Sequence, residues 1–320
     1  MDIRQLHYFL VLCDEMNYSR AAQRLFLSRQ ALRQSISALE AELCGPLFLS
    51  AHHKLSDRGC IINNASACIE VLKNIGYYRL SAYFYPFMQE DKTFVEKLSF
   101  DKVYRIYEFD RKLRNLLLTA LEVIEISLRA RLAHFHSEKY GPQGYLNASN
   151  FNKKHQSAVF TDKVNIAISN NKKAPFVRHY IEKHDRNFPL WVISELFTFG
   201  MLSRFYSDLK TADKKAFAGV DHKHMVSWLK CCTDLRNICA HYGRLYCRVF
   251  PALPSGFQLS EFAGSRLWGA VLSVRALYPS TSEWNNEFMP ALEALIEAYS
   301  EDIDLYHLGF PNDWEIRLRK

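Results

Sequence analysis

The chain has 320 residues, enough for two domains of ordinary size. It is 48% hydrophobic with 22 Phe and 17 Tyr, a globular composition that can build a large aromatic core. A net charge of +7 and a pI near 8.9 lean towards a polyanionic partner, although no long basic run concentrates the charge. The 8 cysteines form no C-x-x-C pair and no zinc spacing, so buried free thiols in a reducing cytoplasm are expected. Acidic residues interrupt the N-terminus, which does not read as a signal peptide, and no run of about 18 apolar residues marks a membrane span. There is no Gly-rich phosphate loop, no G-x-S-x-G and no metal-binding cluster, so neither a metal nor another cofactor is expected. A soluble, cytoplasmic, nearly all-α protein is the expectation.

Residues 1–54 read as a compact head. Leu6, Phe9, Leu10 and Leu12 have helical spacing, and Asn17-Tyr18-Ser19 breaks that helix with Ser19 as the next N-cap. Ala21, Ala22 and Leu25 face inward on a short second helix. Ser28 caps a third, whose apolar stripe is Ala31, Leu32, Ile36 and Leu39. Two short helices joined by a tight turn make a helix-turn-helix. With Leu43 and Pro46-Leu47-Phe48, these residues closely resemble the DNA-binding head of LysR-type regulators, a winged-helix-like fold. The resemblance puts Ser28, Arg29, Gln30, Arg33 and Gln34 at the start of a recognition helix, where Arg and Gln reach base edges or phosphates. The chain departs from that family at Cys44, Gln30, Arg33-Gln34-Ser35 and Ser50, and the long dimer helix does not follow. DNA binding and a docking or regulatory role both stay open for this head. Ala51-His52-His53-Lys54 would be its wing.

Residues 55–320 read as one helical domain, opening with Leu55-Ser56-Asp57-Arg58-Gly59-Cys60-Ile61-Ile62. The stretch 72–87 predicts a helix broken at Gly76, an aromatic turn and a stop at Pro86. Its tyrosines, Tyr78 among them, can stack on unpaired bases with Arg79 on a phosphate, or can build aromatic core. Apolar residues at 113, 117, 121, 124, 128 and 132 give one long buried helical stripe. On that helix Glu125 and Arg129 form an i,i+4 pair near Glu122. His134 and His136 are expected at the surface or at a cap. Residues 137–188 are polar and less regular, with a helix starting near Phe176. Pro189-Leu190-Trp191 opens the next helix with proline at N1, and Gly200 suits a tight approach. Two apolar helices follow near 267–277 and 285–298.

The chemistry concentrates in Asp234-Leu-Arg236-Asn237-Ile-Cys-Ala-His241-Tyr-Gly-Arg244. A histidine, with an ordinary pKa of about 6.5, can take a proton from a ribose 2′-OH or give one to a leaving 5′-oxygen. A guanidinium can hold the phosphate and the charge that develops on it. That reaction needs no metal. On the residues alone, Arg236 can equally be a structural pair and His241 a helix-end histidine. The R-x4-H spacing is the signature of HEPN nucleases. Leu235 to Phe250, together with the 72–87 and 188–203 blocks, resembles the Abi-like abortive-infection proteins, one HEPN branch. The resemblance implies an anti-phage ribonuclease acting on RNA from a homodimer whose two motifs meet in a cleft; a non-enzymatic DNA-binding transcriptional regulator with an RNA- or ligand-binding HEPN body is the alternative. It implies His241 as general acid/base and Arg236 as phosphate clamp. Asn237 would hold the histidine or the phosphate, and Arg244 would bind RNA. It also sets the 100–136 helix beside the motif, where Glu122, Glu125 and Arg129 either orient the site or form a structural ion network.

Overall fold

A computed structural model describes residues 3–15, 18–42, 55–56 and 58–319. The expected break at Asn17, the Pro46-Leu47-Phe48 block, Cys44 and the wing at 51–54 with its two histidines lie outside the described residues. The chain divides into two compact units, Met1–Glu108 and Phe109–Lys320. The fold is all-α. Among the described residues β pairing is limited to isolated bridges, such as Ile61 with Ser99 and Phe151 with Leu209.

The first unit begins with α1 (Ile3–Glu15), α2 (Tyr18–Arg24) and α3 (Arg29–Glu42). Their shared core is Val11, Leu12, Ala21, Ala22, Leu32 and Ile36, flanked by Tyr8, Phe9, Tyr18 and Leu25. Ser28 caps α3 as its sequence predicts: the Ala31 amide donates to Ser28 Oγ at 3.0 Å. The turn before it reverses at Phe26, which takes φ 55 and leaves its ring in solvent. Three expectations are corrected. Leu10 and Ala31 are exposed, because the inward stripes run through Val11–Leu12 on α1 and Leu32–Ile36–Leu39 on α3. Ser19 falls inside the first turn of α2, which starts at Tyr18, and so is not its cap.

The rest of this unit is stitched by backbone bonds. Phe94 donates to the Arg58 carbonyl, Ile61 to Leu98 and Phe100 to Ile61, at 2.8–2.9 Å. Asn64 caps α4 (Ala65–Ile75) through the Ala67 amide. Gly76 separates it from α5 (Tyr77–Phe84) with φ 82, where no Cβ would meet a neighbour, so glycine serves the dihedral alone. The aromatic stretch is therefore helix and not turn, and Pro86 sits in a 3₁₀ turn beyond it. Tyr83 is core, edge-on to Tyr107, while Tyr78 is 85% exposed.

The division between the units falls within α6 (Phe100–Tyr140). Leu113, Leu117, Leu121, Ile124, Leu128 and Leu132 are all buried, the stripe that the sequence predicts. Then come α7 (Ser157–Asn170), α8 (Pro175–Lys183), α9 (Phe199–Asp208), α10 (Thr211–Ala218), α11 (Met225–Ala240), α12 (Leu267–Leu277), α13 (Met289–Glu297) and α14 (Trp314–Leu318). α11 is central, packed against both α9 and α12. Trp228 on α11 donates to the Ser255 carbonyl, and Trp284 ties the C-terminus by donating to Leu318.

Within this unit Pro189 occupies the N-cap position, one residue before the N1 place expected, because the turn it opens starts at Leu190. A Cβ at Gly200 would lie 3.6 Å from Thr233, ordinary contact, so packing does not demand glycine there. His136 is neither at the surface nor at a cap. It is fully buried, stacked on Phe151 and edge-on to Phe205, with no hydrogen-bond partner for either ring nitrogen among the described residues. Burial pushes its pKa down to about 4, so the ring is neutral in the fold. Five cysteines (Cys60, Cys68, Cys231, Cys232 and Cys239) are buried free thiols, each held protonated by burial.

Candidate functional site

The motif sits at the C-terminal end of α11. One face of this helix is apolar and buried: Met225, Trp228, Leu229, Cys231, Cys232, Leu235 and Cys239. Arg236, four residues after Cys232, lies at the edge of that face and is half-buried, while Asn237 falls on the opposite, exposed side of the register. His241 is the C-cap, its amide donating to the Asn237 carbonyl at 3.0 Å. The Tyr242 amide bonds Cys239 O and the Gly243 amide bonds Ile238 O at 2.7 Å. That pair of bonds is a Schellman closure. Its left-handed position, usually glycine, is Tyr242 with φ 59. Gly243 then approaches closely: a Cβ there would meet Ile238 at 3.0 Å. The closure turns the chain sharply just past His241, whose side chain is exposed and makes no hydrogen bond among the described residues.

Arg236 points at α6. Its Nε lies 3.6 Å from Glu125 Oε2, while Glu125 Oε1 accepts from Arg129 Nη2 at 3.1 Å. Arg129 is fixed in turn, donating to the Phe197 carbonyl and lying 3.8 Å from Glu195. One mostly buried carboxylate is therefore shared by two guanidiniums. These side chains, with Glu122, Leu118, Ile126 and Ala240, line a groove of about 460 Å³. Of the site residues predicted, the groove unites Glu122, Glu125, Arg129 and Arg236. His241 stands at the helix end and does not line it. Asn237 meets Arg236, which donates to its Oδ1 at 3.4 Å, rather than the histidine ring. Arg244 is half-buried in the loop beyond. Tyr78 and Arg79 are exposed on α5 of the first unit, as are Ser28, Arg29, Gln30, Arg33 and Gln34 at the start of α3. The Arg33 guanidinium lies over the Tyr18 ring at 5.5 Å.

A second pair escaped the sequence reading. Asp110 and Arg114, one turn apart on α6, are 0% and 4% exposed and form a buried ion pair. Asp110 also accepts from the Leu245 amide at 3.1 Å and the Tyr246 amide at 2.9 Å, and Arg114 donates to the Gly243 carbonyl at 3.3 Å. Three residues after His241 (Gly243, Leu245 and Tyr246) are thereby pinned to α6 by their backbone. The signal was present: charges at 110 and 114 interrupt the face that continues through Leu113 and Leu117. A charge on a buried stripe needs a buried partner.

A helical body, with a guanidinium–carboxylate groove and an exposed histidine at the end of the motif helix, is preceded by a helix-turn-helix head. Residues 70–247 match the model of the Abi-like protein family, and the chain belongs to that family. Residues 3–59 match the model of bacterial regulatory helix-turn-helix proteins of the lysR family. Over 48 residues the chain is 46% identical to the HTH-type transcriptional regulator IlvR of Caulobacter vibrioides, a match covering 15% of this chain and 16% of that regulator. No solved structure matches. No helix among the described residues is long and apolar enough to cross a membrane, and none of their His, Cys, Asp or Glu side chains cluster as metal ligands.

Proposed function

We propose that the protein is an abortive-infection endoribonuclease that cleaves RNA without a metal, and that its head binds DNA for targeting or autoregulation. The observation that carries this is an anchored cation and an exposed histidine five residues apart at the end of one helix. Arg236 is held by Glu125 across the groove, while His241 stands in solvent with its ring bonded to nothing among the described residues. In this reading the histidine takes the proton of a 2′-OH, O2′ attacks the phosphorus, and the 5′-oxygen leaves with a proton. The products are a 2′,3′-cyclic phosphate end and a 5′-hydroxyl end. Arg236 bears the charge that builds on the phosphoryl oxygens. Glu125 and Arg129 position Arg236 and do not touch the reacting atoms. A homodimer would bring two copies of the motif together and supply both the base and the acid. The head's exposed Arg29, Gln30, Arg33 and Gln34 suit a DNA groove.

The test is incubation of total RNA with wild type, His241→Ala and Arg236→Ala, each in chelator. Cleavage by wild type alone, leaving cyclic phosphate ends, is the expected result. Intact RNA after incubation with a well-folded wild type refutes the nuclease reading.

A further inference from the structure

The net charge is not dispersed over the chain. Residues 150–223 contain 13 Lys and Arg against 7 Asp and Glu, a net +6 of the total +7. Two of those acids are spent internally. Asp208 is 4% exposed and bound by His155 and Arg204, and Asp213 is fully buried against Lys139 and Tyr140. The surface of this stretch is more basic than its composition indicates.

The cations also converge in space. Asn152 donates to the Ser207 and Leu209 carbonyls, which ties the loop carrying Lys153 and Lys154 to the end of α9. Arg204 reaches the Lys154 carbonyl at 3.4 Å, and Lys214 donates to Ser207. Lys139 and Lys210 lie over the Tyr140 ring at 5.3 and 5.9 Å. Lys163 and Arg204 line one cleft of about 150 Å³ with Phe160 and Met201. The Lys214 pKa is lowered, chiefly by burial and further by Lys154, which places those two ammoniums in each other's field. The carboxylates on the elements that carry these cations are Asp208 and Asp213, both bound as above, and the exposed Asp162 on α7 and Glu138 at the end of α6.

We propose that this basic face, built from the end of α6, the loop before α7, the middle of α7, the end of α9 and the start of α10, docks the phosphate backbone of a single-stranded RNA. The choice of RNA rests on the ribonuclease reading above; the charge arrangement itself calls for a flexible polyanion with regularly spaced phosphates. Extended exposed lysines without a shared deep pocket track a backbone and do not select a base. The face would hold a strand by its phosphates while the motif at the end of α11 acts on it.

The experiment uses the full chain carrying His241→Ala, so that binding is read without cleavage. Its affinity for a labelled single-stranded RNA of mixed sequence is measured by fluorescence anisotropy over a KCl series. Lys154→Gln/Lys163→Gln/Lys210→Gln removes three exposed cations that form no ion pair among the described residues. Each phosphate contact contributes about 0.7 to the slope of log K against log salt on single strands, so the triple variant is expected to be shallower by about 2. A charge-matched triple elsewhere, Lys112→Gln/Lys230→Gln/Arg317→Gln, is expected to leave the slope unchanged. Equal slopes for all proteins, equal losses in both triples, or tighter binding to anionic phosphatidylserine vesicles than to RNA would overturn the proposal. Strong RNA binding by this face without cleavage by wild type would instead retain the docking surface and refute the nuclease reading.

Discussion

Asp110→Ala tests whether the buried pair on α6 organises the end of the motif helix. The substitution removes an acceptor used by the Leu245 and Tyr246 amides and the carboxylate opposite Arg114, all in the interior. Breaking a buried ion pair from one side costs about 3–5 kcal/mol, and each buried amide left unbonded about 1–3 more. These terms overlap, so a loss of about 4–6 kcal/mol is expected, much of a domain's usual stability. Urea denaturation followed by tryptophan fluorescence reads it selectively, because all 5 tryptophans lie in 109–320. Hydrogen exchange adds the local view: the Leu245 and Tyr246 amides should lose protection first. Asp110→Asn, which keeps one carbonyl acceptor, should lose roughly half as much. A loss under about 1 kcal/mol in the alanine variant would show that water or a local shift replaces the carboxylate, and the reasoning would fail.

Two further outcomes follow from buried or strained groups. His136 has a folded pKa of about 4, below its unfolded value near 6.5, so the unfolded chain binds the proton more readily. Its contribution is present above about pH 6.5 and is lost as the pH falls towards 4; between about pH 7 and 5 the loss is about 2 kcal/mol. His136→Phe, a ring among rings, should remove that part of the acid slope in urea midpoints taken at the two pH values; an unchanged slope counts against it. Tyr242→Gly relieves the left-handed position of the Schellman closure and should raise stability by about 0.5–1 kcal/mol, unless a drop in the urea midpoint shows that the tyrosine ring holds more than the strain costs.

Periodicity carried most of what the sequence revealed. The stripe from Leu113 to Leu132 and the Ser28 cap are properties of neighbours in the chain, and both appear as expected. The pairing of Glu125 with Arg129 is local for the same reason. Arg236 meeting Glu125 is not: it joins positions more than a hundred residues apart, and the family resemblance, not the spacing, placed the two helices together. His136 shows the opposite limit. Its burial depends on Phe151 and Phe205 arriving from two other elements, so its immediate neighbours offered no sign of it. Asp110 was hidden by its own charge, which in an amphipathic reading assigns a residue to solvent, although the partner that permits burial lay one turn away at Arg114.

The buried thiols give the protein a set of chemical clocks. Alkylation needs a thiolate that can reach the reagent, and in the folded chain burial withholds both. Each cysteine therefore records the moment its surroundings open. Cys60 and Cys68 keep time for the first unit, and Cys231, Cys232 and Cys239 for the second. Cys239 lies between Arg236 and His241, so its labelling rate times the breathing of the motif's own last turn in unmodified protein.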